Sequence, residues 1–322
     1  MAERTFLEKV GVLHSSNAIG SARVWEVRHL RNDPAIPPLI YVVESDMGQR
    51  FLLGRGISGR PKFNMIRYIA KSFMELFFEQ LKEKDLAQYL ILRDAYPFDL
   101  QYAAGNFPPY DLLLLPIRFI KIEHFDKEGM DWEARGQHLN GNFKGDTWLI
   151  PDITVASGST ITFFLRNGLE HHRPRQVYVF TACGSLEGIQ RIYQECQRRH
   201  VELIPVFSQS IFEVSKVGDP RGSPPGNLFV VSPASITTQD FHERAFDRYQ
   251  GTRLCSVGNI GESLDDPIQY SIHTLQEMQV LGMDPGKEDW TTWTVNVRDK
   301  KFKQRVSDLN PSLLEYFSPA WR

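Results

Sequence analysis

Cysteine is scarce in this sequence, which contains three in 322 residues: Cys183, Cys196 and Cys255. An odd number without C-x-x-C spacing excludes a disulfide framework and a cysteine zinc site. Histidine offers no alternative metal ligands, because the nine histidines show neither H-x-x-x-H nor H-x-H spacing. His171 and His172 stand at a predicted helix end and are expected on a solvated surface. We therefore expect no metal site built from protein ligands, and a reducing, cytoplasmic location.

Long apolar runs are also missing. No stretch approaches the roughly 18 consecutive apolar residues of a membrane span, and the N-terminus "MAERTFLEKVG" is too charged for a secretory signal. A net charge of −2 argues against nucleic-acid binding through bulk electrostatics, although a local basic patch remains an alternative. We expect neither a membrane nor a nucleic acid as partner. Apolar residues, at 42%, suffice for a substantial core.

Periodicity predicts alternating strands and helices. "PLIYVVES" and "RFLLG" are typical of strands around a turn at Asp46–Gly48, and Asp111–Leu115 of a buried strand. "TWLIPDI", "RQVYVFTAC" and "VELIPVF" are further apolar strands, separated by the helical stretches "TITFFLRNGLE", expected to end near Gly168, and "LEGIQRIYQECQRRH". A long amphipathic helix is indicated by apolar residues at helical spacing: Met65, Ile66, Ile69, Phe73, Leu76, Phe77 and Leu81.

Apolar strands joined by helices predict an α/β fold: an open parallel sheet with helices on both faces. After residue 216 the pattern changes. "VGDPRGSPPGN" is rich in proline and glycine, and shorter elements with Trp290, Trp293 and Trp321 follow, which indicates an appended hood or lobe. The predicted division is residues 1–105 with N-terminal strands and a long helix, a core at 106–215, and a C-terminal hood and extension at 216–322.

The stretch "LIPDITVASGST", Leu149–Thr160, places an acid at the end of a strand and small residues before a helix. In parallel α/β sheets, ligands bind at the carboxyl ends of the strands. Small residues in Val155–Thr160 let main-chain amides approach an anion at a helix N-terminus, and Asp152 can accept hydrogen bonds from sugar hydroxyls. The sequence thus indicates a cradle for a sugar phosphate. An ordinary helix N-cap without a ligand is the alternative.

The order of these residues resembles the phosphoribosyl pyrophosphate loop of the phosphoribosyltransferases of type I fold, and within them the uracil phosphoribosyltransferases. "DITVASGST" corresponds to the family's D-P-M-L-A-T-G-G-S, with Ser159 at the second glycine. The resemblance implies that Asp152 binds the ribose and is a catalytic residue. It also assigns the 5′-phosphate loop to Val155, Ala156, Ser157, Gly158, Ser159 and Thr160.

Two flanking stretches extend the resemblance. "TACGSLEGIQRI" is similar to V-A-A-P-E-G-V-K-A-L, with Glu187 and Gly188 in register. "LLPIRF" is similar to V-P-I-L-R-A-G, the turn that holds pyrophosphate, and implies a catalytic role for Arg118 in stabilising the leaving group. A second family arginine falls near "HFDKEG", where Lys127 replaces it as a point charge without a bidentate fork.

The base-recognition segment of the family, V-P-G-I-G-N-F-G-D-R, is matched loosely by "VGNIGESLDD". The match assigns the nucleobase site to Ile260, Gly261, Glu262 and Asp265. "VGDPRG" at 217–222 is a rival that lies nearer the core, and either stretch is also typical of a surface turn that contains glycine.

A third glycine pattern, "GRGISG" at Gly54–Gly59, satisfies the dinucleotide fingerprint G-x-G-x-x-G. That fingerprint requires a helix that begins inside the motif, whereas the proline of Arg60-Pro61 disfavours helix before it. In the family, a loop before the first long helix carries basic residues. Arg55, Arg60 and Lys62 are therefore candidates to hold pyrophosphate, and a solvated loop is the alternative.

The resemblance implies transfer of a 5-phosphoribosyl group from phosphoribosyl pyrophosphate to a pyrimidine-like base or related heterocycle. Mg²⁺ would bind mainly through the donor pyrophosphate, and a homodimer is compatible with this assignment. Two alternatives stay open. One is a non-catalytic regulator or scaffold that binds a ribose-phosphate ligand, and the other is an enzyme with a changed acceptor.

Overall fold

A computed structural model of the chain describes residues 22–28, 30–92, 96–100, 103, 117–127, 131–137, 143–214, 229–230, 235–248, 260–280, 282–296, 299–309 and 311. The described strands are β1 (Arg23–Arg28), β2 (Leu39–Glu44), β3 (Leu86–Leu92), β4 (Ile117–Lys127), β5 (Asp131–Gln137), β6 (Thr147–Val155), β7 (Gln176–Ser185), β8 (Glu202–Ser208), β9 (Ser210–Val214), β10 (Phe229–Val230) and β11 (Ile236–Thr237). The described α-helices are α1 (Asp46–Leu53), α2 (Gly59–Leu81), α3 (Ser159–His171), α4 (Leu186–Arg198), α5 (Gln239–Arg248), α6 (Ile260–Asp265), α7 (Pro267–Val280) and α8 (Lys300–Leu309).

The main sheet is ordered β1-β2-β8-β7-β6-β3-β4-β5. The six strands from β2 to β4 in this order are parallel, and β1 and β5 add antiparallel edges. Strand β9 pairs in parallel with the end of β7 and antiparallel with β10 and β11. The parallel order brings the carboxyl ends of β6, β7 and β8 to one edge. The predicted α/β class with an open parallel sheet is confirmed.

Two hydrophobic clusters cover the two faces of the sheet. Because successive strand side chains alternate, Leu149 and Ile153 of β6 join one cluster while Trp148 and Ile150 join the other. The first cluster packs against α1, α2 and α5, and the second against α3 and α4. All seven apolar positions that predicted the long helix belong to or pack against the first cluster. The helices predicted on both faces are therefore confirmed.

A third cluster lies in the C-terminal part of the chain. It is built from α7, α8 and the segment between them: Ile272, Leu275, Met278, Met283, Trp293, Phe302 and Val306. Leu53 at the end of α1 packs against the same cluster. We call residues 260–309 the C-terminal unit. The predicted boundaries at residues 105 and 215 stay predictions.

Several local predictions need correction. "RFLLG" is not a strand but the end of α1, because Ser45 Oγ accepts from Gly48 N at 3.1 Å and caps a helix at the predicted turn. Helix α2 begins at Gly59, so Pro61 lies in its first turn, where the missing N–H breaks no helical hydrogen bond. The helix predicted to end near Gly168 runs to His171. Asp111–Leu115 lies outside the described residues.

Among the described helices, none combines the length and apolar character that crossing a bilayer requires.

Candidate functional site

The predicted cradle lies where β6 passes into α3. Asp152 is in β6, in register with Thr181 of β7, and Val155 is the last residue of the strand. Ala156 and Ser157 make the turn, and Gly158 is the N-cap of α3. At about 3.3 Å per strand residue, the Asp152 backbone lies about 10 Å below the end of the strand. The acid thus lies on the strand that leads into the helix N-terminus, below the carboxyl edge of the parallel strands.

Glycine is required at residue 158 for two reasons. Its φ of 68° and ψ of 5° lie in the left-handed region, where a side chain is strained. A Cβ there would also overlap the carbonyl oxygen of Gly188 and lie 3.0 Å from its carbonyl carbon. The contact is reciprocal, because a Cβ on Gly188 would lie 2.5 Å from the carbonyl oxygen of Ala156. The two glycines let the turn and the start of α4 pack backbone against backbone.

Ser185, which the sequence comparison did not single out, fastens this contact. It is the N-cap of α4, and its Oγ accepts from Gly188 N at 2.9 Å. The same hydroxyl donates to the carbonyl oxygen of Ala156 at 2.5 Å. The β6–α3 turn is therefore held to the helix that follows the neighbouring strand. A serine three residues before Gly188 at a strand–helix junction was the available signal for a cap.

The N-cap of α3, Gly158, supplies no side-chain cap. Ser157 Oγ accepts from Ser159 N at 3.4 Å, which is longer than an ordinary N–H···O hydrogen bond. Ser157 Oγ also donates to Ser159 Oγ at 3.1 Å. Thr162 Oγ1, one turn further, is buried without a hydrogen-bond partner among the described residues. This end of the helix presents amide donors and the positive end of its dipole to an anion.

Asp152 is partly exposed, and its Oδ1 accepts from Thr154 N at 3.3 Å. Its neighbour across the sheet, Thr181, is fully buried, and its hydroxyl donates to the carbonyl oxygen of Cys183 at 2.9 Å. The Thr181 hydroxyl is thus hydrogen-bonded inside the protein. Asp152 is the one charged residue in the sequence of β6.

The predicted pyrophosphate residues lie on β4, two strands from β6. Arg118 is in register with Tyr89 of β3, and Lys127 ends the strand opposite Asp131. "LLPIRF" was predicted as a turn, but Ile117, Arg118 and Phe119 belong to a strand of 11 residues, because β3 and β5 pair with it on both sides. Two strand spacings place the backbone of β4 about 10 Å from β6. The roles of Arg118 and Lys127 stay predictions.

The Gly54–Gly59 loop follows helix α1 rather than a strand, so it lacks the context of a dinucleotide fingerprint. A Cβ on Gly56 would overlap the indole ring of Trp293, and Thr294 N donates to the carbonyl oxygen of Gly56 at 3.0 Å. The C-terminal unit therefore covers this loop.

The three basic candidates of this loop separate in space. Arg60 is exposed, whereas Arg55 and Lys62 are buried beneath the C-terminal unit. Lys62 Nζ donates to the hydroxyl of Tyr270 at 2.9 Å, and Arg55 Nη1 approaches the sulfur of Met283 at 3.1 Å. Of the three, Arg60 alone presents its charge to solvent.

The predicted nucleobase segment is helical and does not form a turn. Ile260, Gly261, Glu262 and Asp265 belong to α6, which packs against α2 and α7. The carbonyl oxygen of Glu262 accepts from Asp266 N at 2.8 Å, and its carboxylate contacts His273 Nδ1 at 2.8 Å. The rival stretch at 217–222 lies outside the described residues.

Thiol chemistry finds no support in the described residues. Cys183 and Cys196 are both buried, and burial raises the pKa of the Cys196 thiol to about 12. A neutral buried thiol is a packing group and not a nucleophile. Cys255 lies outside the described residues. Among the residues that the structure describes, no group of three or more histidine, cysteine, aspartate or glutamate side chains is placed to hold a metal ion.

Comparison with known proteins gives similarities to solved structures alone, since no family model and no curated protein matches the chain. The chain is similar to a protein from Aquifex aeolicus, with 16% identity over 52% of this chain and 85% of that one and a TM-score of 0.39. It is similar to adenine phosphoribosyltransferase from Trypanosoma brucei, solved with AMP, pyrophosphate and ribose 5-phosphate (12% identity, 52% and 83% coverage, TM-score 0.36).

A third similar structure is a purine phosphoribosyltransferase from Pyrococcus horikoshii, with 10% identity, 52% and 87% coverage and a TM-score of 0.29. Neither enzyme is a uracil phosphoribosyltransferase, so the predicted closeness to that branch stays a prediction. Because all three TM-scores are below 0.5, a function for this chain rests on the residues of the β6–α3 site.

Proposed function

We propose that this chain binds the 5-phosphoribosyl group of phosphoribosyl pyrophosphate at the β6–α3 turn and transfers it to a nitrogen heterocycle. The supporting observation is the left-handed Gly158 that packs on Gly188 and sets the N-terminus of α3 at the carboxyl edge of parallel strands. A turn braced in this way keeps its amide donors in place without a ligand. Such preorganisation lowers the cost of ordering a phosphate site.

The 5′-phosphate would lie against the amides of Ser157 to Thr160. Ser157 and Thr160 are partly exposed and belong to the same turn, while Ser159 is 6% exposed and contacts Ser157. The partial positive charge of the helix N-terminus favours a dianionic group over a neutral one. This predicts that a sugar phosphate binds and the corresponding sugar does not.

Asp152 would hold the ribose. A partly exposed carboxylate below the turn can accept hydrogen bonds from two adjacent sugar hydroxyls. Charge-assisted hydrogen bonds of this kind are stronger than neutral ones and fix orientation. The ring would then present its anomeric carbon toward the space beyond the strand end, where transfer requires an aligned acceptor.

The leaving pyrophosphate requires positive charge. Arg118, Lys127 and the exposed Arg60 remain the residues proposed for this role, with Mg²⁺ carried mainly by the donor. When bound, Mg²⁺ supplies charge neutralisation on the phosphate oxygens. The chain's own task is to hold the ribose and its phosphate while the bond to pyrophosphate lengthens.

We propose a pyrimidine-like base as the acceptor, and this choice among heterocycles rests on the sequence alone. At Glu262 the main-chain carbonyl of the predicted base segment is already used inside α6. This observation favours the second candidate function, a protein that binds a ribose phosphate at the same turn without catalysing transfer. The two functions share the cradle and differ in turnover.

One experiment separates them. The protein is incubated with phosphoribosyl pyrophosphate, Mg²⁺ and a panel of pyrimidine and purine bases, and base-dependent release of pyrophosphate is measured. We expect release with at least one base, and a loss of about 100-fold in Asp152→Asn. Asp146→Asn is the matched control, since this acid precedes β6 and its side chain is 57% exposed.

Binding of ribose 5-phosphate without release would establish the non-catalytic candidate. Equal release by wild type and Asp152→Asn would contradict the assigned ribose contact. Absence of any ribose 5-phosphate binding would reject both functions.

A further inference from the structure

A groove of about 440 Å³ lies between α1, the loop that follows it, α5 and the C-terminal unit. Its volume is within the range of small-ligand sites. Helices α1 and α5 cover the first hydrophobic cluster, whereas α3 covers the second, so groove and cradle use opposite faces of the sheet. Strands β2 and β6 are also separated by β8 and β7, roughly 14 Å at ordinary strand spacing. The groove is thus distinct from the cradle.

Guanidinium groups are prominent in the described lining of the groove. Its lining contains three arginines, Arg50, Arg244 and Arg248, and one carboxylate, Asp46. Glu288, the acid that pairs with Arg248, has a side chain 1% exposed and therefore does not face the groove. Asp240 contacts Arg244 Nε at 3.0 Å and leaves the terminal nitrogens of that guanidinium available. Two of the three arginines are therefore paired with carboxylates, and the donors left to bind an anion are the guanidinium of Arg50 and the terminal nitrogens of Arg244.

The arginines differ in how firmly they are placed. Arg248 is held by the carbonyl oxygen of Leu53 at 3.3 Å, by Thr292 Oγ1 at 3.3 Å and by Glu288 at 2.6 Å. Arg50 is exposed, and its guanidinium makes no hydrogen bond or ion pair with any other described residue. One guanidinium is therefore ordered before a ligand arrives, and another is available to close on it.

The uncharged part of the described lining consists of apolar Leu53, Gly54 and Ile57 and polar Gln49 and Thr292. Leu53 and Ile57 are partly buried on either side of Gly54, whose missing Cβ leaves room for the Ile57 side chain. An inorganic anion would leave this surface uncovered. A ligand with a ring or short hydrocarbon next to its charge would bury it.

We propose that this groove is a second binding site, which takes a small organic phosphate. The phosphate contacts Arg50 and Arg244, and the apolar body lies against Leu53 and Ile57. Guanidinium forks match the geometry of phosphate oxygens and bind them bidentately. Thr292 of the C-terminal unit forms part of the lining, so the site requires that unit.

Calorimetric titration with phenyl phosphate tests this site, with inorganic phosphate and phenol as separate arms. We expect phenyl phosphate to bind more tightly than either fragment, and Arg50→Ala to weaken its binding about tenfold. Arg50→Lys should restore part of the affinity. Arg175→Ala, which removes an arginine 86% exposed elsewhere on the surface, should leave it unchanged.

Saturating ribose 5-phosphate should not compete, because it would occupy the cradle. Phenyl phosphate binding that is insensitive to Arg50→Ala and Arg244→Ala would overturn the proposal. So would equal affinity for phenyl phosphate and inorganic phosphate, or no binding at millimolar concentration.

Discussion

Two loops that contain glycine lead into helices in this protein, and they differ in the element that precedes them and in what packs against them. The turn before α3 follows a parallel strand, and its first helical amide has a 3.4 Å contact with Ser157. The Gly54–Gly59 loop before α2 follows another helix, and Ser58 N donates to Thr294 Oγ1 at 2.9 Å. In the first, glycine makes room for the backbone of α4. In the second, it makes room for the Trp293 ring.

The difference shows what a glycine pattern leaves undetermined. A glycine indicates that the backbone makes a close contact, and the preceding strand or helix determines the partner of that contact. A strand in a parallel sheet delivers the turn to the edge where ligands bind. A loop that follows a helix is instead placed against the part of the chain that packs over that helix, which here is the C-terminal unit.

Trp293→Ala should produce the largest loss of stability. Its ring is 7% exposed and packs on Gly56, so its removal should lower the free energy of unfolding by about 4 kcal/mol. Urea unfolding measures the loss, and Trp290→Ala, at a less buried ring, should cost less. Ribose 5-phosphate affinity should not change in the folded variant. A large fall in that affinity would place the ligand at the Gly54–Gly59 loop instead.

Gly158→Ala comes next. The left-handed backbone and the overlap with Gly188 together should cost about 3 kcal/mol. Gly282→Ala is the matched control, since its φ of 67° is nearly identical but no described atom lies within 4 Å of the added Cβ. That control should cost about 1 kcal/mol in urea unfolding. Equal losses would show that packing on Gly188 contributes nothing.

Ser185→Ala should have the smallest effect on stability, about 1 kcal/mol, as expected for a lost N-cap. Ser45→Ala removes the corresponding cap of α1 and should cost a similar amount by urea unfolding. The two variants should differ in their affinity for the ligand, because of the two serines only Ser185 donates to the turn, at the carbonyl oxygen of Ala156. We expect a weaker affinity for ribose 5-phosphate in Ser185→Ala alone, and an equal change in both would refute the bracing role.

Much of the fold was predictable because the apolar strands and the helical spacing of apolar residues are clear in the sequence. The apolar strands β6 to β8 and the spacing in α2 specify buried elements with little ambiguity. "RFLLG" was misassigned because a short apolar run fits a strand or a helix, and the capping role of Ser45 decides between them. Strand β4 was missed where charged residues alternate with apolar ones along a paired hairpin.

The local geometry of the candidate site was predictable where one short stretch defines it and not where tertiary packing does, and the ligand roles of its residues stay predictions. Asp152 and the Val155–Thr160 turn follow from residue types in one short stretch. Ser185 acts through a partner 29 residues away, and the burial of Lys62 depends on Tyr270, 208 residues away. Such distant contacts leave no periodic signal in one sequence.

The most direct test of the cradle follows the backbone amides by NMR while ribose 5-phosphate is added. We predict that the largest shifts occur at Gly158, Ser159 and Thr160, saturate together, and are much reduced in Asp152→Asn. Saturable binding that leaves those three amides unmoved, or no binding at all, would contradict the account.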